Sequence, residues 1–370
     1  MTWSPRKKIK HINFVKRIYP FYKYCAKTQI RGFDKNGGKD CAVRHNLAGY
    51  ERSMVIIMKV IFMGTPDFSV GALEALVAAG HEVVLAVTQP DKAKGRSGQM
   101  QYPPVKECAL KHGIPVFQPV KVKTPESVEE LRKYEADIFV VAAFGQILSK
   151  EILTMPRFGC VNIHASLLPK YRGASPINWC IINGEQETGV TIMQMDEGVD
   201  TGDILTAVTV PVAEDETAES LFEKLSEAGA KLIVDTLPKL ERGEITPVRQ
   251  NDAESSHTKM MGKSLGRIDW NKSAVEIERL VRGLNSWPSA YTYINGKSVK
   301  LWRCAVADND FDGRKQAGEI VNVTKETIEV ACGKGILRIC ELQLEGKKRM
   351  DAKTFLLGNL WKAGMCFEAK

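Results

Sequence analysis

MKVIFMGTPDFSVGALEALVAAGHEVVLAVT, residues 58–88, is the stretch that decides the fold. Val60-Ile61-Phe62-Met63 is a short unbroken apolar run, the length of a buried strand. Gly64-Thr65-Pro66 turns the chain, with Thr65 expected as N-cap and Pro66 at the first helical position. Val70, Leu73, Leu76 and Val77 then recur at helical spacing. Gly80 closes that helix, and 82–88 is a second strand. Further strands are expected at 114–117, 137–143, 160–164, 189–195 and 203–210, with helices around 103–112, 125–134, 173–183 and 217–240. Such alternation predicts a mostly parallel, doubly wound α/β sheet. Ligands on sheets of this kind bind beyond the C-terminal ends of the strands.

Outward from this unit the texture changes twice. Residues 1–57 mix aromatic and basic side chains without helical or alternating periodicity and lack the apolar core of a secretory signal. They are expected to be an extension outside the functional fold, disordered or a misplaced start, so that a chain beginning at Met58 keeps full activity. The catalytic domain is expected over 58–243 and a polar linker over 244–262. Beyond it, a short helix (273–285) and strands at 291–294, 298–306, 317–323, 327–332 and 335–343, punctuated by Gly and Asn, predict a small β-barrel at 263–370.

Charge follows the same divisions. The 370 residues carry a formal net charge of +8. Residues 1–57 hold 13 Lys/Arg against three Asp/Glu, 58–262 hold 20 against 28, and 263–370 hold 19 against 13. A basic C-terminal module beside an acidic one is consistent with a local nucleic-acid contact rather than a uniformly basic chain. The nine cysteines are scattered and the six histidines form no H-x-x-x-H or Cys/His cluster, so a reduced compartment and no metal are expected. No apolar run approaches the roughly 20 residues of a membrane span. Absence of G-x-G-x-x-G after the first strand and of a Walker A sequence disfavours dinucleotides and P-loop chemistry.

Chemistry concentrates in CVNIHASLLPKYRG, residues 160–173. A strand ending at Asn162-Ile163-His164 projects two polar side chains from one face. The loop DEGVDTGD, residues 196–203, lies between two strands of the same unit, and an Asp from it can orient His164. On these residues alone, ordinary hydrogen-bonding and turn roles remain open. A Ser166–His164–Asp200 hydrolase triad is disfavoured, because Ser166 follows His164 by two residues and lies in no G-x-S-x-G elbow.

MGTPDF (63–68), Asn162-x-His164, SLLPxxRG (166–173) and DTGD (200–203) together resemble the folate-dependent formyltransferases that act on aminoacylated tRNA. The resemblance runs from Met58 nearly to the C-terminus. It implies a Rossmann-like formyltransferase domain followed by an OB-like barrel. It implies a 10-formyltetrahydrofolate donor, no metal, and initiator methionyl-tRNA as acceptor. Asn162, His164 and Asp200 match the catalytic trio. Asn162 and a protonated His164 would donate to the oxygen that gains charge during transfer, with Asp200 holding the ring. The folate wall would comprise Ser166, Leu167, Leu168 and Pro169 with Phe144, Gly145, Ile147 and Leu148. The basic loop 88–106, with Lys92, Lys94, Arg96 and Lys106, would grip phosphates of the acceptor arm, aided by Arg172 and by Lys347, Lys348 and Arg349. Trp270, Trp287 and Trp302 are expected to pack rather than stack on bases. A cytoplasmic monomer of bacterial type is expected, with a mitochondrial location as the alternative that the Arg/Lys-rich, acid-poor residues 1–57 leave open. Rival readings are an amino-sugar formyltransferase and a non-catalytic RNA-binding relative.

Overall fold

The computed structural model describes residues 56–94, 99–311 and 314–368. Apart from Ile56 and Ile57, the expected extension lies outside the described residues, as does Arg96 of the basic loop. The first domain runs β1 (Lys59–Gly64), α1 (Asp67–Ala78), β2 (Glu82–Val87), β3 (Lys92–Lys94), β4 (Gln99–Gln101), α2 (Pro104–Lys111), β5 (Val116–Phe117), α3 (Pro125–Arg132), β6 (Ile138–Ala142), α4 (Lys150–Leu153), β7 (Cys160–His164), β8 (Arg172–Gly173), α5 (Pro176–Asn183), β9 (Glu187–Gln194), β10 (Ile204–Pro211) and α6 (Ala218–Glu241). Its seven-stranded sheet has the order β10-β9-β7-β6-β1-β2-β5. The five strands from β7 to β5 are parallel, whereas β9 and β10 are each antiparallel to their neighbour.

Chain order reverses between β1 and β6, where a doubly wound sheet opens a crevice. The parallel strands are apolar along their whole length because both faces are covered. Val60, Phe62 and Val140 face the layer of α1, α2, α5 and α6, while Ile61, Met63, Phe139 and Val141 face that of α3 and α4. The long helix α6 is held at its start by a reciprocal pair between Thr217 and Ser220. It approaches the sheet closely at Gly229, where a Cβ would stand 2.8 Å from Ile163 Cγ2.

The first turn departs from expectation. Pro66, not Thr65, precedes the helix, and α1 begins at Asp67 with no side-chain cap. Thr65 instead joins three strand ends: its Oγ1 donates to the Phe144 carbonyl at 3.2 Å and accepts from the Gln89 amide at 3.3 Å.

After β11 (His257–Thr258) the second domain comprises α7 (Ala274–Gly283), β12 (Ala290–Ile294), β13 (Lys297–Asp308), β14 (Ile320–Val323), β15 (Ile328–Ala331), β16 (Ile336–Leu344), β17 (Met350–Asp351) and α8 (Ala352–Gly358). Its antiparallel sheet, β12-β13-β16-β15-β14 with β17 on β16, curls around its own buried cluster in the expected barrel-like form. The end strands are covered by chain: the Ile268 amide donates to the Tyr291 carbonyl and the Ile320 amide to the Met365 carbonyl. Helix α7 carries a Ser273–Glu276 capping box, whose backbone and side-chain hydrogen bonds lower the Glu276 carboxyl to about 2.

Residues 244–262 are not a free linker. They form a strap over the first domain: Val248 bridges Ile204, and β11 pairs in parallel with β8. Contacts between α5 and α7 then seat the second domain, with Asn178 Nδ2 donating to the Gly283 carbonyl at 2.7 Å. No helix among the described residues is long and apolar enough to cross a membrane.

Candidate active site

Strand alternation places Asn162 and His164 on one side at the C-terminal end of β7, as expected. Asp200 reaches them from the β9–β10 loop. Its Oδ2 lies 3.7 Å from His164 Nδ1, and its Oδ1 accepts from Asn162 Nδ2 at 3.5 Å. His164 is only 6% exposed. Its Nε2 lies 2.9 Å from the Tyr171 carbonyl. A carbonyl can only accept, so Nε2 bears a proton and Nδ1 is the nitrogen turned to the carboxylate.

Asp200 is held from several directions. Its Oδ2 accepts the Gly173 amide at 2.8 Å. Its backbone is left-handed, φ 56°, an unfavourable conformation for a residue with a Cβ. The buried Gln250 side chain fixes that loop: Nε2 donates to the Asp200 carbonyl at 3.0 Å and the Gly202 carbonyl at 2.6 Å. Gln250 Oε1 in turn accepts from Arg172 Nε at 3.0 Å. At Gly173, φ 96°, a Cβ would stand 2.8 Å from the Thr258 carbonyl, so the close β8–β11 pairing requires glycine.

The trio opens onto a cavity of about 1100 Å³ beyond the strand ends. Apolar Phe144, Ile147, Met195 and Val199 are among its lining residues, as are Glu219, Glu223 and Glu227 of α6. Trp287 lines it from the second domain. Trp287 is 56% exposed there, whereas Trp270 is packed in the barrel core: that ring is 2% exposed and stacked on Phe367.

The expected folate wall is only partly brought together. Phe144, Gly145 and Ile147 line the cavity. Leu148 points into the opposite core layer. Ser166, Leu167, Leu168 and Pro169 are not among the lining residues either. They buttress the sheet behind His164, where Thr191 Oγ1 donates to the Ser166 carbonyl and accepts from the Leu168 amide. Ser166 Oγ donates to the Lys170 carbonyl at 2.7 Å, which removes the hydrolase alternative.

The expected tRNA cations divide similarly. Lys92 is exposed on the β3–β4 hairpin, and Lys94 ends its first strand. Lys106 is instead held by Asp91 at 2.6 Å and Gln118 at 2.7 Å; the Lys106 and Gln118 hydrogen bonds hold the Asp91 carboxyl below its usual range. Arg172 is corrected outright: 3% exposed and bonded to Gln250 and Asp252, it organises the strap and offers no charge to a phosphate. Lys347 and Lys348 are exposed at the β16–β17 turn. Arg349 pairs with Glu341 and lies 4.8 Å over the Trp302 ring. Gln250 was missed because a side chain bonding to a loop some 50 residues away leaves no periodic mark in sequence.

An Asn–His–Asp group at the C-terminal end of β7, beside the switch point of a doubly wound sheet that is joined to a barrel, fits a formyl transferase. The family description "Formyl transferase" matches residues 58–237, and "Formyl transferase, C-terminal domain" matches 260–360. Methionyl-tRNA formyltransferase of Agathobacter rectalis is 61% identical over 301 residues, covering 81% of this chain and 96% of its own. That of Caldanaerobacter subterraneus is 45% identical, covering 82% of this chain and 97% of its own. The chain belongs to the methionyl-tRNA formyltransferase family. A Helicobacter canadensis N-formyltransferase, solved with folinic acid and dTDP-3-aminofucose, has the same fold: TM-score 0.58 at 20% identity, over 80% of this chain and all of the other. HypX of Aquifex aeolicus, solved with tetrahydrofolic acid, aligns with TM-score 0.56 at 19% identity, over 85% of this chain and 51% of the other.

Proposed function

We propose that this chain transfers the formyl group of 10-formyltetrahydrofolate to the α-amine of methionine on initiator tRNA, in a bacterial cytoplasm. The observation that carries the reading is the Asn162–His164–Asp200 group lining a cavity of about 1100 Å³, in a chain 61% identical to an enzyme so named. Sites for one small ligand usually span about 300–1,000 Å³, so this cavity has room for a donor and the end of an acceptor together.

The residues present fit a folate. Phe144, Gly145, Ile147 and Val199 offer an apolar slot for a flat ring system. Bound there, the donor supplies an activated formyl carbon. Asn162 has a second amide N–H beyond the one turned to Asp200, available to the oxygen that gains charge as the amine attacks. Fixed donors of this sort contribute about 100- to 1,000-fold in rate. His164 Nε2 is occupied by Tyr171, so Nδ1, beside Asp200, is the ring nitrogen that can exchange a proton with the reacting groups. The carboxylates of Glu219 and Glu223 in the cavity lining favour a cationic amine at approach. Lys92 and Lys94 on the hairpin, with Lys347 and Lys348 on the barrel, are proposed to hold acceptor phosphates.

Competition between acceptors tests this directly. Given 10-formyltetrahydrofolate, the protein should formylate methionyl-tRNA far faster than free methionine or a nucleotide-linked amino sugar. Preference for the sugar would overturn the acceptor assignment while leaving the donor assignment standing.

A further inference from the structure

We propose that Glu74, Cys108 and His112 form a zinc-binding site that clips α1 to α2. One ligand atom from each residue lies within 4.8 Å of those of the other two. Glu74 comes from the middle of α1, Cys108 from α2, and His112 from the residue that ends α2, one helical turn beyond Cys108. Cys108 is 1% exposed, and its Sγ donates to Glu74 Oε1 across 3.9 Å. The second carboxylate oxygen, Oε2, is buried and has no hydrogen-bond partner among the described residues. Leaving a carboxylate oxygen buried and unpaired is costly, and a cation at this point would satisfy it.

Donor chemistry selects the metal. Sulfur, imidazole nitrogen and one carboxylate suit a borderline cation such as zinc and disfavour magnesium or calcium, which take oxygen ligands. Binding forms a Zn–S bond and displaces the Cys108 thiol proton to solvent. The exposed side of His112 gives the ion an entry path and leaves a fourth position for water. None of the three residues lines the large cavity, so the site is structural, and it stands apart from the formyl-transfer reading. It would fasten the helix that follows the basic β3–β4 hairpin to the helix that begins at the cavity floor. In sequence its one trace is a Cys-x-x-x-His spacing, which gains meaning only when α1 supplies Glu74.

The full chain, stripped with a chelator, is titrated with Zn²⁺ against a competing chromophoric chelator, and in parallel with Co²⁺. One equivalent should bind, Co²⁺ should give a thiolate charge-transfer band, and the melting temperature should rise with free zinc. Cys108→Ser should remove the band. His112→Ala, a change at an exposed residue that leaves packing intact, should weaken binding by roughly 100-fold or more, above the usual loss from changing a residue that merely supports a ligand. Absence of stoichiometric binding would overturn the proposal. So would binding and a band that survive both substitutions, since the metal would then sit elsewhere.

Discussion

Gln250→Ala should loosen the catalytic carboxylate without touching any group that meets substrate. The wild-type side chain is 6% exposed and makes three hydrogen bonds, to the carbonyls of Asp200 and Gly202 and from Arg172 Nε. Truncation strands three buried polar groups, each at about 1–3 kcal/mol, less whatever water recovers by entering the space. A net loss of about 2–4 kcal/mol of stability follows. Asp252 gives the comparison. It also binds Arg172, at 2.8 Å, but its side chain is 78% exposed, so water can take the place of its carboxylate and Asp252→Ala should cost less than Gln250→Ala. Function should respond separately. Asp200 holds a left-handed backbone that Gln250 helps to maintain. If release moves the carboxylate by about 1 Å, transfer should slow on the order of 100-fold. The assay pairs urea denaturation with single-turnover formyl transfer at saturating donor, checking that KM for the folate is little changed. A Gln250→Ala protein with wild-type stability and rate would show that Asp200 is positioned without Gln250.

Two further outcomes follow from particular groups. His81 is buried, which lowers its pKa from the ordinary 6.5, and its Nδ1 accepts the Met58 amide at 3.3 Å. Below 6.5 the unfolded chain therefore takes up a proton that the folded chain resists, so stability should fall as pH drops through that value. His81→Asn, whose Oδ1 can accept the same amide, should flatten the decline in melting temperature between about pH 7 and 5.5; an unchanged slope would acquit His81. Replacing Lys92, Lys94 and Arg96 by Gln should raise KM for tRNA and reduce its salt dependence while folate binding is spared. Equal loss of folate binding would contradict a phosphate role for the hairpin.

Periodic features were legible in the sequence. The apolar run 60–63, the helical spacing from Val70 to Val77 and the strand ending at His164 each reflect burial repeated along a single element. Asn162 and His164 share one side of β7, as strand alternation requires, whereas Asp200 was singled out by the family resemblance and reaches them from the β9–β10 loop. What escaped depends on partners remote in the chain. Thr65 reads as a helix cap until the loops after β2 and β6 arrive beside it. Arg172 reads as a free cation until the strap surrounds it with Gln250 and Asp252. The polar composition of 244–262 suggested a linker because a strap built on side-chain hydrogen bonds has no apolar period.

The central claim is that formyl transfer to methionyl-tRNA passes through the Asn162–His164–Asp200 group. Single-turnover transfer by His164→Ala, with the affinities for folate and methionyl-tRNA measured on the same preparation, tests it most directly. Transfer should fall by about 100-fold or more with both affinities unchanged. A rate within a few-fold of wild type, on a folded protein that still binds both substrates, would remove His164 from the chemistry and contradict the account.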